Sequence, residues 1–169
     1  RLHSVSGLLP TGVGLMADRP FRAPHHTVSE AGLVGGGASP RPGEVSLAHD
    51  GVLFLDELPE VPRRIQEALA GALRDGMACA GRGDSAVSFP ARPLLVASML
   101  PCPCGYWGDP RRECTCRSDQ VERYRSRVCA KLLDRIGIIV SVAPVRHSDL
   151  SKSVTASARM REEVCRARA

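Results

Sequence analysis

The stretch SLAHDGVLFLDELPE, residues 46–60, carries the strongest fold signal in this sequence. Residues 52–55 form a short apolar run, which is typical of a strand buried on both faces of a parallel sheet. Asp56 and Glu57 follow that run directly. Ligands of open α/β sheets gather at the carboxyl ends of the strands, so the pattern places two acids where a ligand is expected.

Two further apolar runs, residues 93–99 and 136–142, predict two more buried strands. The first fifty residues are rich in Gly and Pro, which predicts loops and short elements there. Buried strands that alternate with helices predict an α/β domain, with a mostly parallel sheet flanked by helices.

Helical spacing of apolar residues predicts one helix that Pro62 opens and Gly76 ends. A second predicted helix has Val121, Tyr124, Val128 and Leu132 on one face, and Ser118 or Asp119 is its expected cap. A charged helix is expected to close the chain, beginning near Ser151 or Ser153.

Composition limits the size, the partners and the location of the protein. The chain has 169 residues, 43% of them hydrophobic, which is enough for one core of ordinary size. Its net charge of +5 permits a polyanionic partner without requiring one. No apolar run approaches the roughly 18 residues that span a bilayer, and the start lacks the order of a signal peptide. We therefore expect no membrane partner and a cytoplasmic location.

An apolar strand that ends in two acids suits a magnesium-dependent nucleoside triphosphatase. The first acid would hold hydrated Mg²⁺, and the second would orient or deprotonate the attacking water. Two solvated acids at the start of a loop are the alternative. The usual companion motif, G-x-x-x-x-G-K-[ST], is absent, because neither Lys131 nor Lys152 follows a glycine.

Four cysteines form a C-x-C, nine residues, C-x-C arrangement: Cys102, Cys104, Cys114 and Cys116. Two close thiolate pairs joined by a turn-rich loop can surround a tetrahedral Zn²⁺. Four free thiols in a reducing cytosol are the alternative. The remaining three, Cys79, Cys129 and Cys165, are expected to be small buried hydrophobes.

A basic stripe runs through residues 111–135, with Tyr106, Trp107 and Tyr124 in or near it. Such a stripe can grip phosphates while rings stack on bases, although a solvated helix face is the more common meaning. His25 and His26 are adjacent in a Pro-flanked loop and receive no assigned role. The stripe comprises Arg111, Arg112, Arg117, Arg123, Arg125, Arg127, Lys131 and Arg135.

Three runs, residues 19–60, 89–116 and 123–136, closely resemble the magnesium-chelatase-like AAA+ ATPases of bacteria, in particular the competence-protein group of hexameric DNA-translocating ATPases. In that family the phosphate loop lies upstream of the position where this chain starts. The resemblance therefore implies a partial P-loop NTPase (AAA+) module. Residues 1–45 would be a loop-rich insert preceding Walker B, residues 46–144 a partial ATPase core, and residues 145–169 the start of a helical lid.

The resemblance also implies roles for single residues. Asp56 and Glu57 fall on the Walker B acids, for Mg²⁺ and for water activation, with ATP as the nucleotide. Arg135 matches an arginine offered to the neighbouring subunit's nucleotide, and residues 77–92 resemble the pre-sensor hairpin that touches DNA in related helicases. Leu100 stands where the family has the sensor 1 Asn, and leucine forms no hydrogen bond there.

Two functional hypotheses follow from the sequence. The first is a fragment of a magnesium-chelatase-like AAA+ ATPase, inactive by itself, whose family couples ATP hydrolysis to DNA remodelling. The second is a non-catalytic remnant that binds zinc and serves as a nucleic-acid-binding or subunit-binding module. The missing phosphate lysine and Leu100 favour the second for the isolated chain, whereas the long motifs favour the first for its ancestry.

Overall fold

The computed structural model describes residues 2–9, 11–12, 14, 16, 18–37, 39–81, 86–145 and 156–168. These residues form seven helices and seven strands, with one 3₁₀ turn at Leu58–Glu60. The helices are α1 (Leu2–Val5), α2 (Glu30–Leu33), α3 (Glu44–Leu47), α4 (Arg63–Asp75), α5 (Ser118–Arg125), α6 (Ala130–Leu133) and α7 (Ser157–Arg168). The strands are β1 (Phe21–Arg22), β2 (Gly35–Gly36), β3 (Arg41–Pro42), β4 (Val52–Leu55), β5 (Met77–Ala80), β6 (Val87–Pro90) and β7 (Leu94–Ala97).

The main sheet is parallel and has three strands in the order β1-β4-β7. Its central strand, β4, pairs along its whole length with β7, from Val52 opposite Leu94 to Leu55 opposite Ala97. Leu53 and Leu55 on one face of β4 are buried in the core. The α/β prediction with a parallel sheet flanked by helices is confirmed, and so are the strands predicted at residues 52–55 and 93–99.

Helix α4 covers the buried face of the sheet. Ile65, Leu69 and Ala72 recur at helical spacing and are buried. Pro62 precedes the first turn, and Gly76 ends the helix with φ +66, a left-handed conformation that glycine adopts without steric cost. This helix agrees with the sequence prediction at both ends.

Two antiparallel ribbons accompany the sheet. β5 and β6 form the hairpin predicted for residues 77–92, with Met77 opposite Pro90 and Ala80 opposite Val87. Its predicted tip is residues 81–84, and all of these except Gly81 lie outside the described part of the chain. β2 and β3 pair over two residues each, in keeping with the short elements predicted for this Gly-rich region.

The predicted helix through Leu132 is broken into α5 and α6. Gln66, fully buried on α4, donates to the Arg127 carbonyl at 3.2 Å and accepts from the Cys129 amide at 2.8 Å. These tertiary hydrogen bonds engage backbone groups between the two helices. The expected cap was also wrong, because α5 starts after Arg117, whose backbone N–H donates to the Gln120 side chain at 2.9 Å.

The strand predicted for residues 136–142 was wrong. The structure assigns no strand there, and the side chains of Ile139 and Val142 are 81% and 85% exposed. An apolar run forms a buried strand only when another strand pairs with it, and none of the described strands does so. Two of the three cysteines expected to be buried, Cys79 and Cys165, are exposed, whereas Cys129 is buried.

The chain divides into two compact units, Arg1–Ile139 and Val140–Ala169. The first unit contains the sheet and its core. In the described part of the second unit, α7 is exposed along its length and carries an Arg159–Glu163 ion pair at 3.4 Å. The predicted starts of the closing helix, Ser151 and Ser153, lie outside the described residues. None of the described helices combines the length and apolar character needed to cross a membrane.

Candidate functional site at the carboxyl end of the parallel sheet

Asp56 and Glu57 are exposed at the carboxyl end of β4, beside the end of β7. The backbone turns sharply at this point. Glu57 has φ 51 and ψ 51, a left-handed conformation that is uncommon for a residue with a side chain. The turn directs the chain from β4 into the 3₁₀ turn and then into α4, and Asp56 and Glu57 are left at the sheet edge.

Ser98, the residue after β7, connects the two strand ends. Its backbone N–H donates to the Leu55 carbonyl at 3.0 Å, and its own carbonyl accepts from Leu58 N–H at 2.9 Å. Its hydroxyl donates to Asp56 Oδ1 and accepts from the Glu57 N–H at 3.2 Å. Ser98 therefore fixes the Asp56 carboxylate and the Glu57 backbone together.

His26 reaches the same edge from the loop after β1. Its Nδ1 lies 3.4 Å from Glu57 Oε2. The His25 ring lies beside the His26 ring, with centroids 4.0 Å apart, and His25 Nδ1 is 2.9 Å from the Thr27 hydroxyl. Glu57 thus faces an imidazole that is itself held by a neighbouring ring.

Gln66 and Glu60 brace the segment that follows the two acids. The Gln66 amide donates to the carbonyls of Leu58 and Val61 at 3.2 and 2.8 Å. Arg127 pairs with Glu60 at 2.9 Å. Because Gln66 also bonds the chain between α5 and α6, the turn after Glu57 and these two helices form one hydrogen-bonded block.

Two other residues singled out from the sequence, Leu100 and Arg135, form no side-chain hydrogen bond with the two acids in the described part of the chain. Leu100 is exposed, and its backbone amide contacts the Tyr124 phenol, whose pKa is raised by burial. Arg135 is exposed just after α6, and within the described residues no hydrogen bond or ion pair joins its side chain to the two acids.

The four cysteines expected to bind a metal come together in the loop between β7 and α5. Their sulfur atoms all lie within 4.8 Å of one another. The Tyr106 backbone amide lowers the pKa of the Cys104 thiol to about 5, whereas burial raises the pKa of Cys114 to about 12. The cluster therefore combines one thiol whose pKa is lowered, that of Cys104, with two whose pKa is raised by burial, those of Cys114 and Cys116.

The basic stripe is less positive than its sequence suggests. Arg117 and Arg123 both pair with Asp119, at 3.2 and 3.3 Å, and Arg127 pairs with Glu60. Arg112 is stacked 3.9 Å from the centre of the Tyr106 ring. Nearby acids thus neutralise part of the stripe, and the arginine-aromatic pair in the Cys-rich loop is its most distinctive feature.

Sequence reasoning missed Ser98 entirely and gave His26 no role. A usable signal existed for Ser98, because it follows a predicted strand, and parallel strands end at one edge of a sheet. β1, only two residues long, gives too weak a pattern to place His26, and its contact with Glu57 depends on β1 pairing with β4.

The chain is similar to known proteins along most of its length. A family model described as "Magnesium chelatase, subunit ChlI" matches residues 1–150. The protein YifB of Escherichia coli is 42% identical over 153 residues, which cover 89% of this chain and 30% of YifB. The competence protein ComM of Haemophilus influenzae is 41% identical over 153 residues, which cover 89% of this chain and 30% of ComM. Mb2921c of Mycobacterium bovis is 44% identical over 146 residues, which cover 86% of this chain and 29% of Mb2921c.

The chain spans about 30% of the length of these curated relatives. Among solved structures, one of NtrX from Brucella abortus in complex with ADP aligns with 62% of this chain and 23% of that chain. The sequence identity is 24% and the TM-score is 0.41.

Proposed function

The chain belongs to the magnesium chelatase ChlI-subunit family, and from that membership we propose that it is part of an AAA+ ATPase in which Asp56 and Glu57 act on bound nucleotide. The observation that carries this proposal is the strand end itself. Asp56 and Glu57 are exposed at the carboxyl end of a parallel strand, fixed by Ser98 from the neighbouring strand. Ligands of α/β folds bind at this edge.

The residues at this edge fit a magnesium ion. Asp56 offers an exposed carboxylate, and Mg²⁺ typically takes one or two carboxylates while keeping several waters. When bound with ATP, Mg²⁺ supplies positive charge to the β- and γ-phosphate oxygens. The sequence contains no Gly-Lys pair, so residues 1–169 supply the acidic side of the site and no phosphate loop of the usual type.

Glu57 would act on water. In the proposed reaction it orients the attacking water and accepts its proton, while the water oxygen bonds to the γ-phosphorus and the bond to ADP breaks. His26, 3.4 Å from Glu57 Oε2, would hold that carboxylate in place. Leu100 offers no hydrogen bond where the family has the sensor 1 Asn, so slow hydrolysis is expected even with a complete nucleotide site.

The proposal extends to a neighbouring subunit and to DNA. Arg135, exposed after α6, would offer its guanidinium to nucleotide bound by the next subunit of a hexamer. The relative from H. influenzae is named a competence protein. We propose that this chain also has DNA as a partner. In this proposal, DNA would contact the β5–β6 hairpin and the Cys-rich loop with its Tyr106–Arg112 pair.

The test starts with the coding DNA upstream of Arg1, where an in-frame Gly-Lys-Thr or Gly-Lys-Ser loop is expected. In the complete gene product, Glu57→Gln should lower DNA-stimulated ATP turnover by about 100-fold or more while nucleotide binding persists. Glu67→Gln is the matched control, because Glu67 is an exposed acid on α4 that pairs with Arg63, and it should leave turnover within about twofold. Residues 1–169 alone should show no turnover above their own Glu57→Gln variant, with Mg²⁺, DNA and zinc supplied.

The second candidate function is a non-catalytic module that binds zinc and a nucleic acid or a neighbouring subunit. Leu100 at the sensor position and the absent Gly-Lys pair favour it. An upstream sequence without a phosphate loop, together with equal turnover in Glu57→Gln and the unchanged protein, would reject the ATPase proposal in favour of this second candidate.

A further inference from the structure

Cys102, Cys104 and Cys114 form a nearly equilateral triangle of sulfur atoms. The three Sγ–Sγ distances are 3.4, 3.5 and 3.6 Å, and Cys116 Sγ lies within 4.8 Å of all three. A disulfide requires about 2.05 Å, so these sulfurs are not bonded to each other. Four thiolates around Zn²⁺ at about 2.3 Å form a tetrahedron with edges of about 3.8 Å, close to the observed spacing.

Backbone amides point at these sulfurs. Trp107 N–H donates to Cys102 Sγ at 3.3 Å, and Cys116 N–H donates to Cys114 Sγ at 3.4 Å. Such donors stabilise negative charge on sulfur and fix the direction of a metal ligand. Gly105, with φ +83, allows the turn after Cys104 that brings the Trp107 amide back to Cys102.

The loop that holds the cysteines buries little apolar surface of its own. Residues 98–117 contain no helix or strand, and Cys102 is the only buried residue among them. The large apolar side chains Leu100 and Trp107 are 45% and 42% exposed. Loops of this length without secondary structure are uncommon in compact domains, and burial of apolar surface does not offset the entropy of ordering this one.

The loop connects two elements of the candidate site. It starts at Ser98, which holds Asp56, and it ends at α5, whose Arg125 donates to the Pro101 carbonyl at 3.1 Å. A cross-link inside the loop therefore restrains both the end of β7 and the start of α5.

We propose that Cys102, Cys104, Cys114 and Cys116 bind one Zn²⁺ through four thiolates, and that this ion holds the loop between β7 and α5 in its folded course. The site is structural, because four protein ligands leave no open position for water or substrate. It does not depend on ATP hydrolysis, so it stands whether or not the chain is catalytic.

The first measurement is metal content of the full 169-residue chain, purified under reducing conditions. We expect about one zinc per chain by elemental analysis, and loss of that zinc in the Cys102→Ser/Cys114→Ser double variant. The Cys79→Ser/Cys165→Ser variant is the matched control, because both cysteines are exposed and outside the cluster, and it should keep its zinc. An unchanged chain that stays metal-free when refolded with zinc, or that binds stoichiometric iron instead, overturns the proposal.

Two measurements on the unchanged chain remove any dependence on the folding of the double variant. Replacement of zinc by Co²⁺ should give the absorption of a tetrahedral four-sulfur site, and a spectrum of an oxygen-ligated octahedral ion would reject it. Chelation of the metal should speed tryptic cleavage at the exposed Arg111 and Arg112 by about tenfold, because the loop opens. Equal cleavage before and after chelation would reject the structural role.

Discussion

The left-handed backbone of Glu57 is the main local departure from ordinary geometry at the candidate site. Residues with a side chain adopt this conformation at a cost of about 1 kcal/mol or more, and such residues concentrate at functional sites. A glycine would turn the chain without that cost. The carboxylate at this position is thus retained at some expense in stability, as expected if it acts on a ligand.

The free energy of unfolding of Glu57→Gly should therefore be about 1 kcal/mol higher than that of Glu57→Ala, so the glycine variant is the more stable of the two. Both variants lack the carboxylate, so the difference reports the backbone alone. At Glu60, which is not among the positive-φ residues, the order should reverse, because glycine only adds freedom to the unfolded chain there. Urea unfolding of the four variants measures the differences, and the same order at both positions would contradict the strain assigned to Glu57.

At the scale of elements, the close approach of β1 to β4 determines how His26 reaches Glu57. Gly51, just before β4, allows this approach, since a Cβ there would collide with the Pro20 carbonyl. That carbonyl accepts the Val52 N–H at 2.8 Å. In contrast, a Cβ on Gly71 in α4 would have no atom within 4 Å.

Gly51→Ala should lower the free energy of unfolding by about 3 kcal/mol, because β1 must shift away from β4. Gly71→Ala should raise it by about 0.5–1 kcal/mol through better helix propensity. Chemical denaturation compares the two with the unchanged chain. An unchanged free energy of unfolding in Gly51→Ala would show that β1 does not approach β4 this closely.

At the scale of the whole molecule, one face of the parallel sheet stays apolar and open within the described residues of the first unit. Phe21 and Leu94 are 65% and 61% exposed, and Val96 is 40% exposed. The Phe21 and Phe54 rings stack 6.4 Å apart on the same face. Parallel sheets are normally covered on both faces, so this surface favours association.

The 169-residue chain should therefore self-associate at micromolar concentration, and Leu94→Thr/Val96→Thr should shift it toward the monomer. Val87→Thr is the matched control, because Val87 is 44% exposed but lies on the β5–β6 hairpin. Sedimentation velocity of the three proteins measures the shift. Identical size distributions would mean that the open sheet face does not drive association.

Much of the fold and of the candidate site followed from local patterns. β4, α4 and β7 were predicted from apolar periodicity and from turn residues, because each pattern is decided by neighbours in the chain. The β5–β6 hairpin was expected from the resemblance of residues 77–92 to a pre-sensor hairpin. The four cysteines were grouped by spacing alone, and the structure brings their sulfurs together. Asp56 and Glu57 were placed at a strand end by the same local reading.

Tertiary structure decided the rest, because it depends on partners far away in the sequence. The apolar run at residues 136–142 predicts a strand, but none forms there, because a strand needs a second strand to pair with its backbone groups. Gln66 divides the predicted second helix by bonding Arg127 and Cys129, residues more than sixty positions away. The contacts of Ser98 and His26 with the acids arise only when β7 and β1 pair on either side of β4. The sequence alone thus identified the two acids at a strand end and the group of four cysteines. Strand pairing determined which side chains surround the acids.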